Sequence, residues 1–189
     1  MYNKEYDDSP ESTSMAYDAM KNRWDVINTV MSGTEAMRKA GEKFLPRHIA
    51  ETGDRYENRL NTAVFRNMTE DTLESLVGRP FSEPVKVQDS VPEDIKNFMG
   101  NIDNHGDSID SFAKKWFKSG VAKGYCAVLV EFPRIKSGSE YTRTLADDRV
   151  EGVRPYLCRI EPENLICVRT ETLAGKEVIT HARICRYVE

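Results

Sequence analysis

"NIDNHGDSIDSFAKKWFKSGVAKGYCAVLVEFP", residues 101–133, crowds three aspartates and a histidine ahead of an amphipathic segment and an apolar run. Two readings of the acidic loop compete. As a metal site it would make the chain an enzyme; as the capped start of a helix it would only position the strand that follows. A calcium loop beginning at Asp103 places His105 and Asp107 at alternate ligand positions. Its sixth position, where the sharp turn needs glycine, is then Ser108, and its twelfth, where a bidentate glutamate belongs, is Lys114. The capping reading explains more. Asp107 or Ser108 can accept from the unpaired amides of a first helical turn, and Asp110 sits at the favourable end of the helix dipole. Ile109, Phe112, Ala113, Trp116 and Phe117 then form one apolar stripe, with Lys114, Lys115 and Lys118 outside it as a solvated face. Gly120 and Gly124 release the chain into Tyr125–Phe132, which reads as a strand buried on both faces and closed by Pro133.

Upstream of the loop the pattern is helical. Residues 1–14 are rich in Asp, Glu, Ser and Pro and read as a flexible N-terminal arm. Met20, Trp24, Ile27 and Met31 mark a helical stripe from Ser14 to Ser32-Gly33, and a shorter helix runs from Thr34 as N-cap to Ala40, ended by Gly41. A longer helix is expected from Arg55 to Val77, with a kink or break near Met68 because Thr69-Glu70-Asp71 resembles a fresh N-terminus. Gly78 and Pro80 end it, and Pro92–Met99 is a short helix. Downstream, 137–152 is a polar excursion expected to be a loop or hairpin, and Tyr156–Ile160, Leu165–Arg169 and Val178–Tyr187 are short strands. Helices first and strands after predict an α+β fold: helical over 15–123, strand-rich over 124–189, with a small, mainly antiparallel sheet.

The totals narrow the function classes. At 189 residues, 39% hydrophobic and 31% charged, the chain can bury a core without disulfide staples. A net charge of −4 argues against a free-standing nucleic-acid binder, whose affinity comes from cations displacing phosphate counterions. The opening "MYNKEYDDSPESTS" has no signal-peptide core, and the apolar run Tyr125–Val130 is far short of a membrane span. Asn67-Met68-Thr69 is a chance glycosylation sequon by this reasoning. Cys126, Cys158, Cys167 and Cys185 form no CxxC pair and read as free thiols behaving as small hydrophobes. Glu131 ends a strand as a magnesium-binding carboxylate does in many ATPases, but no GxxxxGK[ST] loop accompanies it. No nucleophile elbow occurs, and His48, His105 and His181 are scattered. These residues therefore predict no catalytic, cofactor-binding or metal-binding site.

The order of segments carries more than any one site. Gly33, Arg38, Gly41 and Leu45-Pro46 come first, then Tyr56, Arg59-Leu60, Ala63, Phe65 and Asn67, then Leu76-Val77-Gly78 and Phe81. Asp103, Gly106, Ser108, Phe112, Gly124, Pro133 and Arg154-Pro155-Tyr156 follow. Over residues 14–189 this series resembles the N-terminal part of a tailed-phage portal-like family (the DUF4055 type). The family's strand before Pro133 ends more often in aspartate than in glutamate, and its members are considerably longer, so the chain is expected to be an N-terminal fragment. The resemblance implies a non-catalytic virion component at the portal vertex of the phage head, present in the host cytoplasm during assembly. It implies a homo-oligomeric, dodecameric ring that meets the major capsid protein and is served by a separate terminase. Double-stranded DNA would pass through without sequence-specific binding, no membrane would be involved, and this region would belong to the outer wing. The alternatives are a metal-dependent DNA-processing enzyme using Asp103, Asp107, Asp110 and Glu131, or the inert remnant of a decayed prophage.

Overall fold

A computed structural model describes residues 9–133 and 144–186. Its architecture is α+β: helices fill the N-terminal half and two small antiparallel sheets follow. The helices are α1 (Met15–Met31), α2 (Gly33–Ala40), α3 (Gly53–Thr62), α4 (Met68–Gly78), α5 (Glu93–Lys96), α6 (Ile109–Lys123) and α7 (Leu145–Glu151). The strands are β1 (Ala127–Glu131), β2 (Tyr156–Ile160), β3 (Leu165–Leu173) and β4 (Lys176–Ile184).

Local chemistry sets most of these boundaries. Ser14 and Ser108 cap α1 and α6 by accepting from Tyr17 N and Ser111 N. Gly41 and Gly124 end α2 and α6 at φ 55° and 97°, in the region that L side chains disfavour. The long helix expected over 55–77 is instead two helices, α3 and α4, separated by the non-helical residues 63–67. Its second start is capped by Asn67, whose side chain accepts from Glu70 N, and not by Thr69. The Asn67 amide also donates to Val30 O, so the sequon asparagine ties α4 to α1. Thr34 does not cap α2; its hydroxyl donates to Phe65 O instead.

The core lies where α1, α4 and α6 converge on the Pro162–Asn164 turn. Trp24, 1% exposed, meets Tyr17 and Tyr125 edge-on, with ring centroids 5.6 and 5.9 Å away. Its indole N–H donates to Lys123 O at 3.0 Å, which joins the middle of α1 to the C-terminal end of α6. Leu73, Val77 and Phe112 complete the helical layer, and Ile160 and Cys167 close it from the strands. Phe117 packs on Phe81 at 5.7 Å, but Trp116, expected in the same stripe, is 41% exposed and donates to Cys126 O.

Three strand-level expectations are corrected. Among the described residues there is not one sheet but two, β1–β2 and β3–β4, each of two antiparallel strands. β1 is covered on one face only: Ala127, Leu129 and Glu131 are half-buried, while Val128 and Val130 face outward. The polar excursion contains α7, started by a reciprocal capping box between Thr144 and Asp147; its residues 137–143 lie outside the described residues. Of the expected arm, 12–14 are anchored, since Ser14 N donates to Ile166 O and Arg183 donates to Ser12 O. Residues 1–8 lie outside the described residues.

The β3–β4 hairpin turns at Ala174-Gly175, with φ 51° and 77°, the two positive values a tight type I′ turn requires. Beyond its root it is uncovered. Residues 170–173 and 176–182 are exposed on both faces, Leu173, Val178 and Ile179 among them.

Candidate functional site

The acidic loop builds the start of α6 from the backbone outward. Asp103 Oδ1 accepts from His105 N at 2.9 Å and Asp107 N at 3.0 Å, and Asn101 Oδ1 accepts from Gly106 N at 2.8 Å. Asn104 and Gly106 take φ 64° and 102° to turn the chain so tightly. Backbone bonds Ile102 N to Asp107 O, Ile109 N to Met99 O and Leu157 N to Ile102 O fasten the loop to the α5 segment and to β2.

The four candidate carboxylates go separate ways. Asp107 accepts from Lys115 through both oxygens at 2.7 Å and from the Ser111 hydroxyl at 2.9 Å. These bonds, the lysine's first, hold its carboxyl below the usual range. Asp110 accepts from Val85 N, pinning the 83–90 connection to the first turn of α6. Glu131 accepts from the Cys158 thiol at 3.3 Å and lies 3.4 Å from Arg186 Nη1; the thiol contact, then Arg186, lowers its pKa. Asp103 and Asp107 share a cleft of about 340 Å³ with His105, Lys115, Cys158, Arg159 and Arg186, and neither Asp110 nor Glu131 lines it. Among the described residues no group of three or more His, Cys, Asp or Glu side chains is placed to hold a metal ion. Each of the cleft's three cations is already paired with a carboxylate: Lys115 with Asp107, Arg159 with Glu161 and Arg186 with Glu131.

The polar cluster that sequence reasoning missed joins α1 and the end of α6 to the 161–164 turn. Lys123 donates to Glu161 at 2.9 Å and to Glu163 at 2.8 Å, Ser119 donates to Glu161, and Asn28 donates to Glu163. Burial pulls the lysine's pKa down, but its two carboxylate partners outweigh it and the net shift is upward. Glu161 shows the mirror case: burial raises it, and Ser119 and Lys123 bring it below its ordinary value. The stretch Glu161-Pro162-Glu163-Asn164 supplies both carboxylates, and periodicity gave no signal for the cluster because Lys123 and Glu163 are far apart in the chain.

The arginines Arg38, Arg59 and Arg154 also bond to the chain itself. Arg38 donates to Ala63 O at 3.0 and 2.9 Å; Arg154 donates to Asn101 O and sits over the Phe98 ring at 5.0 Å. Arg59 grips Glu51 and also donates to Pro46 O.

Apolar surface is the other conspicuous feature. Val26, Ile27, Val30, Met68, Leu73 and Leu76 are among the residues lining a groove of about 540 Å³ between α1, α4 and α6. No helix among the described residues is long and apolar enough to cross a membrane. No protein-family model matches the chain, and no curated protein sequence matches it.

Proposed function

We propose that this chain is a non-catalytic assembly component, part of a tailed-phage portal-like protein in the wing region of the ring through which DNA is packaged. The observation that carries the reading is how its polar motif residues are used. Arg38, Asn67, Asp103 and Arg154 each bond to the chain's own backbone, so these motif residues are used to hold a shape.

Exposed surface supports an assembled role. A two-stranded ribbon with both faces in water is marginal alone and gains from a neighbour covering it. The acidic balance suits a wall that must not grip passing DNA.

The neighbouring genes provide the test. A terminase gene immediately upstream is the expected result; neighbours of unrelated metabolism overturn the portal reading. The enzymatic alternative is tested by incubating the chain with double-stranded DNA and magnesium or manganese. No cleavage is expected, and cleavage abolished by Asp107→Ala would overturn the non-catalytic reading.

A further inference from the structure

Residues 46–51 form a tight loop whose hydrogen bonds converge on His48 and Glu51. Glu51 N donates to His48 O at 2.9 Å and closes a turn with Ile49 and Ala50 at its tip. The Glu51 carboxylate accepts from Arg59 Nε at 2.9 Å, Arg59 Nη2 at 2.8 Å and His48 N at 3.3 Å. Its carbonyl accepts from Arg47 Nε and Nη2 at 3.0 and 2.9 Å. The tip itself is held by the imidazole: Ala50 N donates to His48 Nδ1 at 3.2 Å. Ile49 is 100% exposed, so no packing of its side chain fixes the tip.

The bond from Ala50 exists only while the ring is neutral. A ring nitrogen that accepts carries no proton, which puts the single proton of neutral His48 on Nε2. A second proton, taken from solvent, has to enter at Nδ1, where it turns the acceptor into a donor facing the Ala50 N–H. Two donors cannot share a bond, and the amide is released to water. The charged groups around the ring come from the loop, Arg47 and Glu51, and from α3, which brings Arg59 onto Glu51 and carries Asp54, Arg55 and Glu57 near its start. Across pH 5 to 8 guanidiniums and carboxylates keep their charge, and imidazole is the side chain that changes it. Glu51 in particular, brought down to about 2, stays ionised and keeps its grip on Arg59 through that range. From this geometry we infer that His48 is a proton-operated catch on the tip of the 46–51 loop. The neutral ring fixes Ala50 and the exposed Ile49, and the protonated ring frees both while Arg59 still holds the base of the loop.

Nitrogen-15 NMR of the intact chain from pH 8 to pH 5 tests it. The neutral ring is expected to show the Nε2–H tautomer, and the Ala50 amide shift to move with the midpoint of the ring's own titration. Over the same range the backbone order parameters of Ile49 and Ala50 should fall from about 0.85 to below about 0.6, while the Arg59 Nε–H shift stays constant. Two variants bracket the wild type at an exposed position with no packing to lose. His48→Asn places an amide oxygen where Nδ1 stood, an acceptor at every pH, and should hold Ala50 throughout; His48→Ala should leave it free throughout. Circular dichroism and melting check that both variants fold. A neutral ring with its proton on Nδ1 overturns the inference, as does a ring that titrates without moving the Ala50 amide or loosening Ile49. A ring still neutral at pH 5 overturns it too, and so does a pH response at Ala50 that survives in His48→Asn. None of these outcomes bears on the assembly reading above, which rests on other residues.

Discussion

Arg59 Nε and Nη2 meet the two carboxylate oxygens of Glu51 in a parallel, bidentate pair at 2.9 and 2.8 Å. The Arg59 guanidinium also lies over the Tyr56 ring at 5.3 Å, so the clamp on the 46–51 loop is joined to the buried face of α3. Arg59, then the His48 amide, brings the Glu51 pKa down from 4.5 to about 2, against the opposing effect of burial. A depressed carboxylate contributes stability above its ordinary pKa and loses it as pH falls through the folded value. The Glu51–Arg59 pair should therefore be intact above pH 4.5 and released progressively toward pH 2. The Arg59 Nε–H chemical shift through an acid titration measures this, and Glu51→Gln should remove the transition while leaving the α1–α4–α6 core folded.

Ser108 and Asp107 were interchangeable as caps on sequence grounds, and the structure separates them. Ser108 Oγ receives Ser111 N, whereas Asp107 takes Lys115 and the Ser111 hydroxyl. Ser108→Ala should cost about 1 kcal/mol in denaturant unfolding, the usual value of a lost N-cap. Asp107→Ala should cost less, because its lysine partner is half exposed and screened by water and salt. Equal losses would contradict this division of roles.

Trp24 links three elements through packing and one hydrogen bond, so two substitutions should differ. Trp24→Ala removes a side chain that is 1% exposed and should cost about 3–5 kcal/mol, enough to unfold a marginal protein. Trp24→Phe keeps most of the packing but strands the Lys123 carbonyl, at about 1–3 kcal/mol. Urea unfolding followed by far-ultraviolet circular dichroism distinguishes the two.

Tyr56 is buried and its hydroxyl has no hydrogen-bond partner. Tyr56→Phe should therefore be neutral or slightly stabilising, an unusual result for a buried tyrosine. Gly41, whose added Cβ would lie 3.7 Å from that hydroxyl, holds φ 55°. Gly41→Ala should destabilise by about 1 kcal/mol for backbone reasons, with no clash to relieve. Melting temperatures of the two variants and their double mutant check both statements, and the pair should be close to additive.

Much of this protein was legible along the chain. Ser14, Gly41, Ser108 and Gly124 mark helix ends within one turn, and their effect is local: a side chain or a positive φ satisfies or stops the few residues beside it. The period of Phe112, Ala113 and Phe117 likewise announced α6 before any partner was known. Tertiary structure alone decided the rest. Val128 and Val130 have the character of a doubly covered strand, yet which faces of β1 are covered depends on where α6 and β2 come to lie. Lys123, Glu161 and Glu163 read as ordinary surface charges until folding brings them together under Trp24. The fate of the acidic loop was decided in the same way. Periodicity identified the helix that it starts, but only long-range hydrogen bonds could send Asp110 to Val85 and Glu131 to Cys158 and Arg186. Caps and stripes act over one turn of chain; convergence of charged groups depends on contacts between segments that the chain order does not specify.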